Sequence, residues 1–164
     1  MTPRPRGRAL TATGRMLIAG IIIGLAALAT CTLIMVPSQW EPQVKYRPDF
    51  GPTPEEFAKA YEAKNHVEPD YHSASGYITG LLLQRAIEQA GSIDPKKVAA
   101  ALEKIDASTF FGHEKFSTDP KSHGLQLAHQ MVLAQWQTKN GKLEKEMVWP
   151  DAAKTAALNY PLHP

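Results

Sequence analysis

Residues 53–106 read TPEEFAKAYEAKNHVEPDYHSASGYITGLLLQRAIEQAGSIDPKKVAAALEKID, and the fold class turns on this stretch. Thr53-Pro54-Glu55-Glu56 combines a hydroxyl N-cap, a proline at the first helical position and a glutamate placed to close a capping box. Phe57 and Tyr61 follow on one face, so a helix is predicted from Pro54 to about Asn65. Pro69-Asp70 interrupts the chain. Tyr77, Ile78, Leu81, Leu82 and Ile87 then give a broad apolar face to a second helix, from about Ser73 to Ala90, with Ser73 or Ser75 as its cap and Gly91 as its stop. Asp94-Pro95 opens a third helix, in which Val98, Ala101, Leu102 and Ile105 recur at helical spacing as far as about Asp106.

Downstream of Gly112 the pattern changes. Ala128 to Thr138 is rich in apolar and amide residues and reads as a strand, with His129, Met131 and Leu133 on alternate positions. Lys139-Asn140-Gly141-Lys142 then supplies the Asn-Gly of a type I′ hairpin turn. In the returning strand Leu143, Lys145, Met147 and Trp149 share one face and Glu144 and Glu146 the other, the pattern of a half-exposed sheet. Phe110-Phe111 reads as a strand entering the core, and Pro150-Asp151 as the start of a short terminal helix. Three helices and a hairpin are incomplete as a domain, because a two-stranded ribbon needs further strands or a covering helix.

Upstream, prolines at 37, 42, 48, 52 and 54 argue against regular helix, so 37–52 reads as a proline-rich linker between an N-terminal segment, 1–36, and the body, 53–164. Met16 to Val36 is a run of 21 residues without a charge. A helix of that length spans roughly 30 Å, the thickness of a bilayer's hydrocarbon core. Arg4, Arg6, Arg8 and Arg15 precede it and favour the cytoplasmic side, so everything after Pro37 is expected outside the cytoplasm, exported or membrane-anchored through residues 16–36. Three outcomes fit the run: a retained anchor, a signal peptide cleaved near Ala27-Leu28-Ala29, or a lipoprotein acylated at Cys31 after Leu28-Ala29-Thr30. Gly20 and Gly24 match a small-xxx-small pair, a spacing common in membrane helices generally.

Composition narrows the function classes. Beyond the four arginines the chain carries 14 basic and 16 acidic residues, which leaves no dense basic surface for nucleic acid. Cys31 is the only cysteine, so neither an intramolecular disulfide nor a cysteine-based zinc site can form. The six histidines, at 66, 72, 113, 123, 129 and 163, show no HExxH or comparable ligand spacing, and no metal or other cofactor is expected. There is no GxSxG, Cys-His motif or phosphate-cradling glycine loop, so an enzyme is not expected and no catalytic residue is assigned.

A family likeness rests on the order of several segments: Pro37-Ser-Gln-Trp40 with Lys45-Tyr46, the helix PEEFAKAYEAKN, Pro69-Asp-Tyr-His-Ser-Ala-Ser-Gly-Tyr77, and Ala86-Ile-Glu-Gln-Ala-Gly-Ser-Ile-Asp94. KKVAAALEKI, Thr109-Phe-Phe-Gly-His-Glu-Lys-Phe116, Gln135-Trp136, Asn140-Gly-Lys142, Val148-Trp-Pro150 and Tyr160-Pro161 continue it. In this order they resemble the C-terminal third of leucine/isoleucine/valine-type periplasmic binding proteins of amino-acid ABC transporters. The resemblance implies an α/β fold, here a partial type I periplasmic-binding-protein architecture of helices plus a C-terminal hairpin, preceded by the apolar helix. It also implies capture of a small amino acid or related amide between two lobes that close by a hinge, and delivery to an ABC transporter permease. Tyr71 or His72 falls where the family places an aromatic side chain lining its cleft, which covers the ligand's aliphatic part, and Ser73 and Ser75, at the start of the helix, are candidates to hydrogen-bond an anionic group there. The segments that would form most of the first lobe have no counterpart here, so binding by this chain alone is expected to be weak or nil. The competing expectation is a membrane-anchored interaction module that keeps the remnant without transport.

Overall fold

The structure, a computed structural model, describes residues 34–160. Strand β1 is Met35–Ser38, followed by helices α1, Pro54–Asn65, α2, Tyr71–Ala90, and α3, Pro95–Leu102. Strands β2, Asp106–Ser108, and β3, His113–Lys115, form a small hairpin, and β4, Val132–Lys139, and β5, Lys142–Trp149, a longer one. The main sheet is antiparallel in the order β1-β4-β5. Among the described residues the architecture is thus α/β, with the three helices predicted over residues 53–106, but β1 adds a third strand to the expected ribbon.

That strand corrects the reading of the apolar run. Met35 and Val36 were assigned to its helix, whereas they pair with Gln135 and Ala134, and the Ile34 carbonyl accepts from the Trp136 amide at 3.1 Å. A short apolar run fits strand and helix equally well, and β4 supplies the partner that decides between them. The rest of the expected membrane segment, with Gly20, Gly24 and Cys31, lies outside the described residues, as do the N-terminal arginines. Among the described residues no helix is long and apolar enough to cross a membrane.

Helix starts are where local chemistry succeeds. Thr53 Oγ1 accepts from the Glu56 amide at 3.2 Å while Glu56 Oε2 accepts from the Thr53 amide at 2.8 Å, completing the predicted capping box. Asp94 caps α3 through the amides of Lys96 and Lys97, and Gly91 ends α2 in the left-handed conformation. Two ends differ. The first turn of α2 begins at Tyr71 under Asp70, two residues before Ser73, and α3 stops at Leu102, because Asp106–Ser108 pairs with His113–Lys115 as a strand.

The Asn140-Gly141 turn forms as predicted, with both residues at positive φ between paired Lys139 and Lys142. The half-exposed pattern of β5 does not. Glu146, Met147 and Val148 are all buried, because the chain after the single 3-10 turn Asp151–Ala153 doubles back over the sheet. Thr155 and Ala156 amides donate to the Met147 carbonyl, and Thr155 Oγ1 meets Met147 N and Glu146. The same segment satisfies two buried amides of β4: Gln135 exchanges hydrogen bonds with the Asn159 backbone, and Gln137 Nε2 donates to the Ala157 carbonyl.

The main core joins sheet, α1, α2 and the small hairpin, a smaller cluster of Ala86, Val98 and Ala101 packs α3 on α2, and Trp40 lies inside the main core with 1% of its surface exposed. Its ring meets Phe57 and Phe110 edge-on, at 5.6 and 5.9 Å between centroids, and its Nε1 donates to the Phe110 carbonyl at 2.9 Å. With Val44 also buried and Tyr46 and Phe50 packed against the core, residues 39–50 are anchored to the body although they hold no regular element; the prolines prevent helix there, as expected, without making the segment a free linker. Phe110 and Phe111 are core residues, but in the bend between β2 and β3 rather than in a strand. His129, expected on a strand, lies ahead of β4 and stacks on Phe111 at 4.8 Å with neither ring nitrogen hydrogen-bonded. Gly112, at φ +145, makes room for it: a Cβ there would sit 2.8 Å from His129 Nδ1.

Two stability measurements follow from this packing. Trp40→Ala lowers stability by about 3–5 kcal/mol in urea unfolding through cavity and lost contacts. Trp40→Phe keeps a ring but leaves the Phe110 carbonyl without its donor, and costs less. Burial pushes the His129 pKa below its ordinary 6.5, an effect the nearby Gln39 backbone only partly offsets. The fold therefore favours neutral His129, and its contribution is complete above pH 6.5 and is lost as pH falls below 6.5 through the depressed folded value. The urea midpoint of the unsubstituted protein should fall more steeply from pH 7.5 to 5.5 than that of His129→Gln; parallel slopes would show that the ring titrates as if exposed.

Candidate functional site

The three residues singled out by the sequence come together at the start of α2. Asp70 adopts an extended conformation and caps the helix, its Oδ1 accepting from the Ser73 amide at 2.8 Å. Ser73 Oγ donates to the same oxygen at 2.8 Å and lies 3.0 Å from the Tyr61 hydroxyl. These bonds, the backbone one foremost, hold the Asp70 carboxyl below the usual carboxylate range. Tyr71 and His72 occupy the first two helical positions with rings stacked at 4.0 Å, and His72 Nδ1 is 3.5 Å from Asp70 Oδ2. Tyr71 is 39% exposed and His72 is exposed as well, so the pair forms an open aromatic plate.

Chemically, the plate can cover an aliphatic group, as the reading of Tyr71 and His72 requires. Ser73 is differently placed: both its amide and its hydroxyl donate to Asp70, so a ligand anion at this helix start would compete with the protein's own carboxylate. Ser75, the other expected cap, is exposed, and its carbonyl accepts from Thr79 Oγ1. A groove of about 400 Å³ opens beside Tyr61, between Phe57, Lys64 and Tyr77.

A second concavity, of about 430 Å³, shares no residue with the start of α2. Lys45, Tyr46 and Arg47 form one wall, Ser108, Thr109, Gly112 and His113 of the small hairpin another, and Ala128, Gln130, Pro150 and Ala152 close it. Asp49 ties the first two walls together: its amide donates to the Ser108 carbonyl and its Oδ2 accepts from the Ser108 amide. Burial pushes the Tyr46 phenol up to about 12, so it stands there as a neutral hydroxyl.

Beside this wall Asp106 Oδ1 lies 2.7 Å from His113 Nε2, and His113 Nδ1 lies 3.2 Å from Ser108 Oγ. Lys115 holds Asp106 from the other side, and with His113 keeps its carboxyl below the usual range. The order Asp-His-Ser is that of a hydrolase relay, but catalysis also needs amides free to meet an oxyanion. The adjoining amides of Phe111 and Gly112 are both committed to Thr109. Among the described residues no three of His, Cys, Asp and Glu gather so as to hold a metal ion. The sequence missed this cleft because Arg47, Ser108, His113 and Gln130 stand in no motif; only the antiparallel pairing of Ser108 with His113 and the anchoring of Asp49 bring them together.

Comparison with known proteins bears on the whole chain. The periplasmic binding protein family matches residues 19–142, beginning inside the uncharged run. Among solved structures, a leucine binding protein from Thermotoga maritima is 24% identical with a TM-score of 0.50, covering 71% of this chain and 30% of that one. An ABC transporter substrate-binding protein from Desulfitobacterium hafniense, in complex with leucine, is 24% identical with a TM-score of 0.51, covering 82% of this chain and 41% of that one. The chain therefore spans less than half the length of either structure, and at this identity the likeness speaks to the fold. With a family match over most of its length and an α/β fold shared with those structures, the chain belongs to the periplasmic binding protein family.

Proposed function

We propose that the chain acts as part of the solute-binding component of an amino-acid ABC transporter, outside the cytoplasm, and presents solute to a transporter permease. The observation that carries this reading is the family match over residues 19–142. The leucine complex of one structural relative favours a small amino acid, or a related amide, as the solute. In this reading Tyr71 and His72 cover the aliphatic part of the ligand, and Ser73 contributes once Asp70 yields its hydrogen bonds.

The start of α2 offers a plate rather than an enclosure, and a small-molecule site ordinarily buries most of its ligand. The remaining walls come from the part of the two-lobed fold that this chain does not span. Ligand capture by the chain alone is accordingly weak or nil. Residues 16–33 serve, in the same reading, as the export or anchoring segment.

Calorimetric titration of the full chain with leucine, isoleucine, valine and short amides should give no measurable heat at micromolar concentrations. A micromolar dissociation constant would refute the need for further walls; if binding occurred and survived Tyr71→Ala with His72→Ala unchanged, the plate would lose its role. Mass measurement of the protein recovered from membranes reports whether residues up to about Ala29 are removed.

A further inference from the structure

We propose that the cleft between Lys45–Arg47 and the β2–β3 hairpin is a separate binding site for a small organic dianion, a short dicarboxylate being its simplest form. It is independent of the amino-acid reading above and of the start of α2.

Volume and charge both lead there. At about 430 Å³ the cleft falls within the size range of small-molecule sites. Lys45 and Arg47 both line it, and they stand two apart on irregular, non-helical backbone, Tyr46 between them being half-buried. Neither cation has a carboxylate within ion-pairing distance among the described residues, although Lys45 lies within Coulombic reach of Glu55 and Glu146. No Asp or Glu lines the cleft.

The carboxylates nearest in sequence to its walls are each tied to a neighbouring group, and Glu114, next to His113, accepts from Gln126 Nε2. Asp106 holds His113 and Lys115, Asp49 receives the Ser108 amide, and Asp151 pairs with Lys154 at 2.6 Å. What remains is a concavity with two cations outside any ion pair at one wall and the polar side chains of Ser108 and Gln130 at the others, His113 being bonded at both ring nitrogens. Asp106 and the Ser108 hydroxyl between them hold the His113 ring as a fixed part of the wall. An arginine fork takes one carboxylate in two-point fashion, and a lysine supplies a compact second charge for the other. A zwitterionic amino acid matches this wall poorly, since its ammonium meets two cations and no anion.

The test titrates the isotope-labelled full chain with succinate, and with leucine for comparison, at low ionic strength, following amide shifts by NMR. Succinate should move the amides of Ser108, Thr109, Gly112, His113 and Gln130 saturably, and leucine should not. Because salt screens exposed charges, a tenfold rise in sodium chloride should weaken binding several-fold. The double variant Lys45→Gln with Arg47→Gln, both exposed positions, should weaken it by at least about tenfold, roughly 1.4 kcal/mol. Succinate shifts centred elsewhere, equal response to leucine, or unchanged affinity in a folded double variant would each overturn the proposal; the shift map on the unsubstituted chain decides even if the variant fails to fold.

Discussion

The burial of Trp40 is the constraint on which the rest of the structure depends. Its indole fills the space where α1, the β2–β3 bend and the main sheet meet, and its one polar atom is satisfied by the Phe110 carbonyl. A tryptophan can be buried this fully only when its N–H finds an acceptor, so the carbonyl and the ring position fix each other. That single anchor draws residues 39–50 against the body. Lys45 and Arg47 then face the hairpin, and Asp49 reaches the Ser108 backbone.

A second organising device is the way buried polar groups are satisfied by chain distant in sequence. Gln135 and Gln137 point out of the middle of a sheet, which would be costly without partners. The segment after Ala153 returns to supply them, and in doing so covers β5 and buries Glu146 together with Met147 and Val148. Lys139 meets Glu146 at 2.5 Å, and Lys145 meets Glu41 at 2.6 Å, which joins the sheet to the Trp40 segment once more. The hairpin, marginal as an isolated ribbon, is thereby closed in by β1 at one side and the C-terminal return at the other.

The two concavities differ in what they lack. At the start of α2 an aromatic plate stands beside a carboxylate that already occupies the helix terminus, an arrangement that depends on further walls to enclose a solute. Between Lys45–Arg47 and the hairpin the walls are present, and a lysine and an arginine line them without an ion pair.

Features set by neighbours a few residues apart were legible in the sequence. The capping box at Thr53, the Asp94-Pro95 start, the Gly91 stop and the Asn140-Gly141 turn each depend on local backbone chemistry, and each forms as read. Met35 and Val36 entering a sheet, the burial of both faces of β5, Trp40 in the core and the gathering of Arg47, Ser108 and His113 were decided only by tertiary structure. The physical reason is the same throughout. A cap or turn closes hydrogen bonds within a few residues, whereas a strand edge, a buried indole or a cluster of charges takes its energy from partners that pairing and packing bring from 50 to 100 positions away.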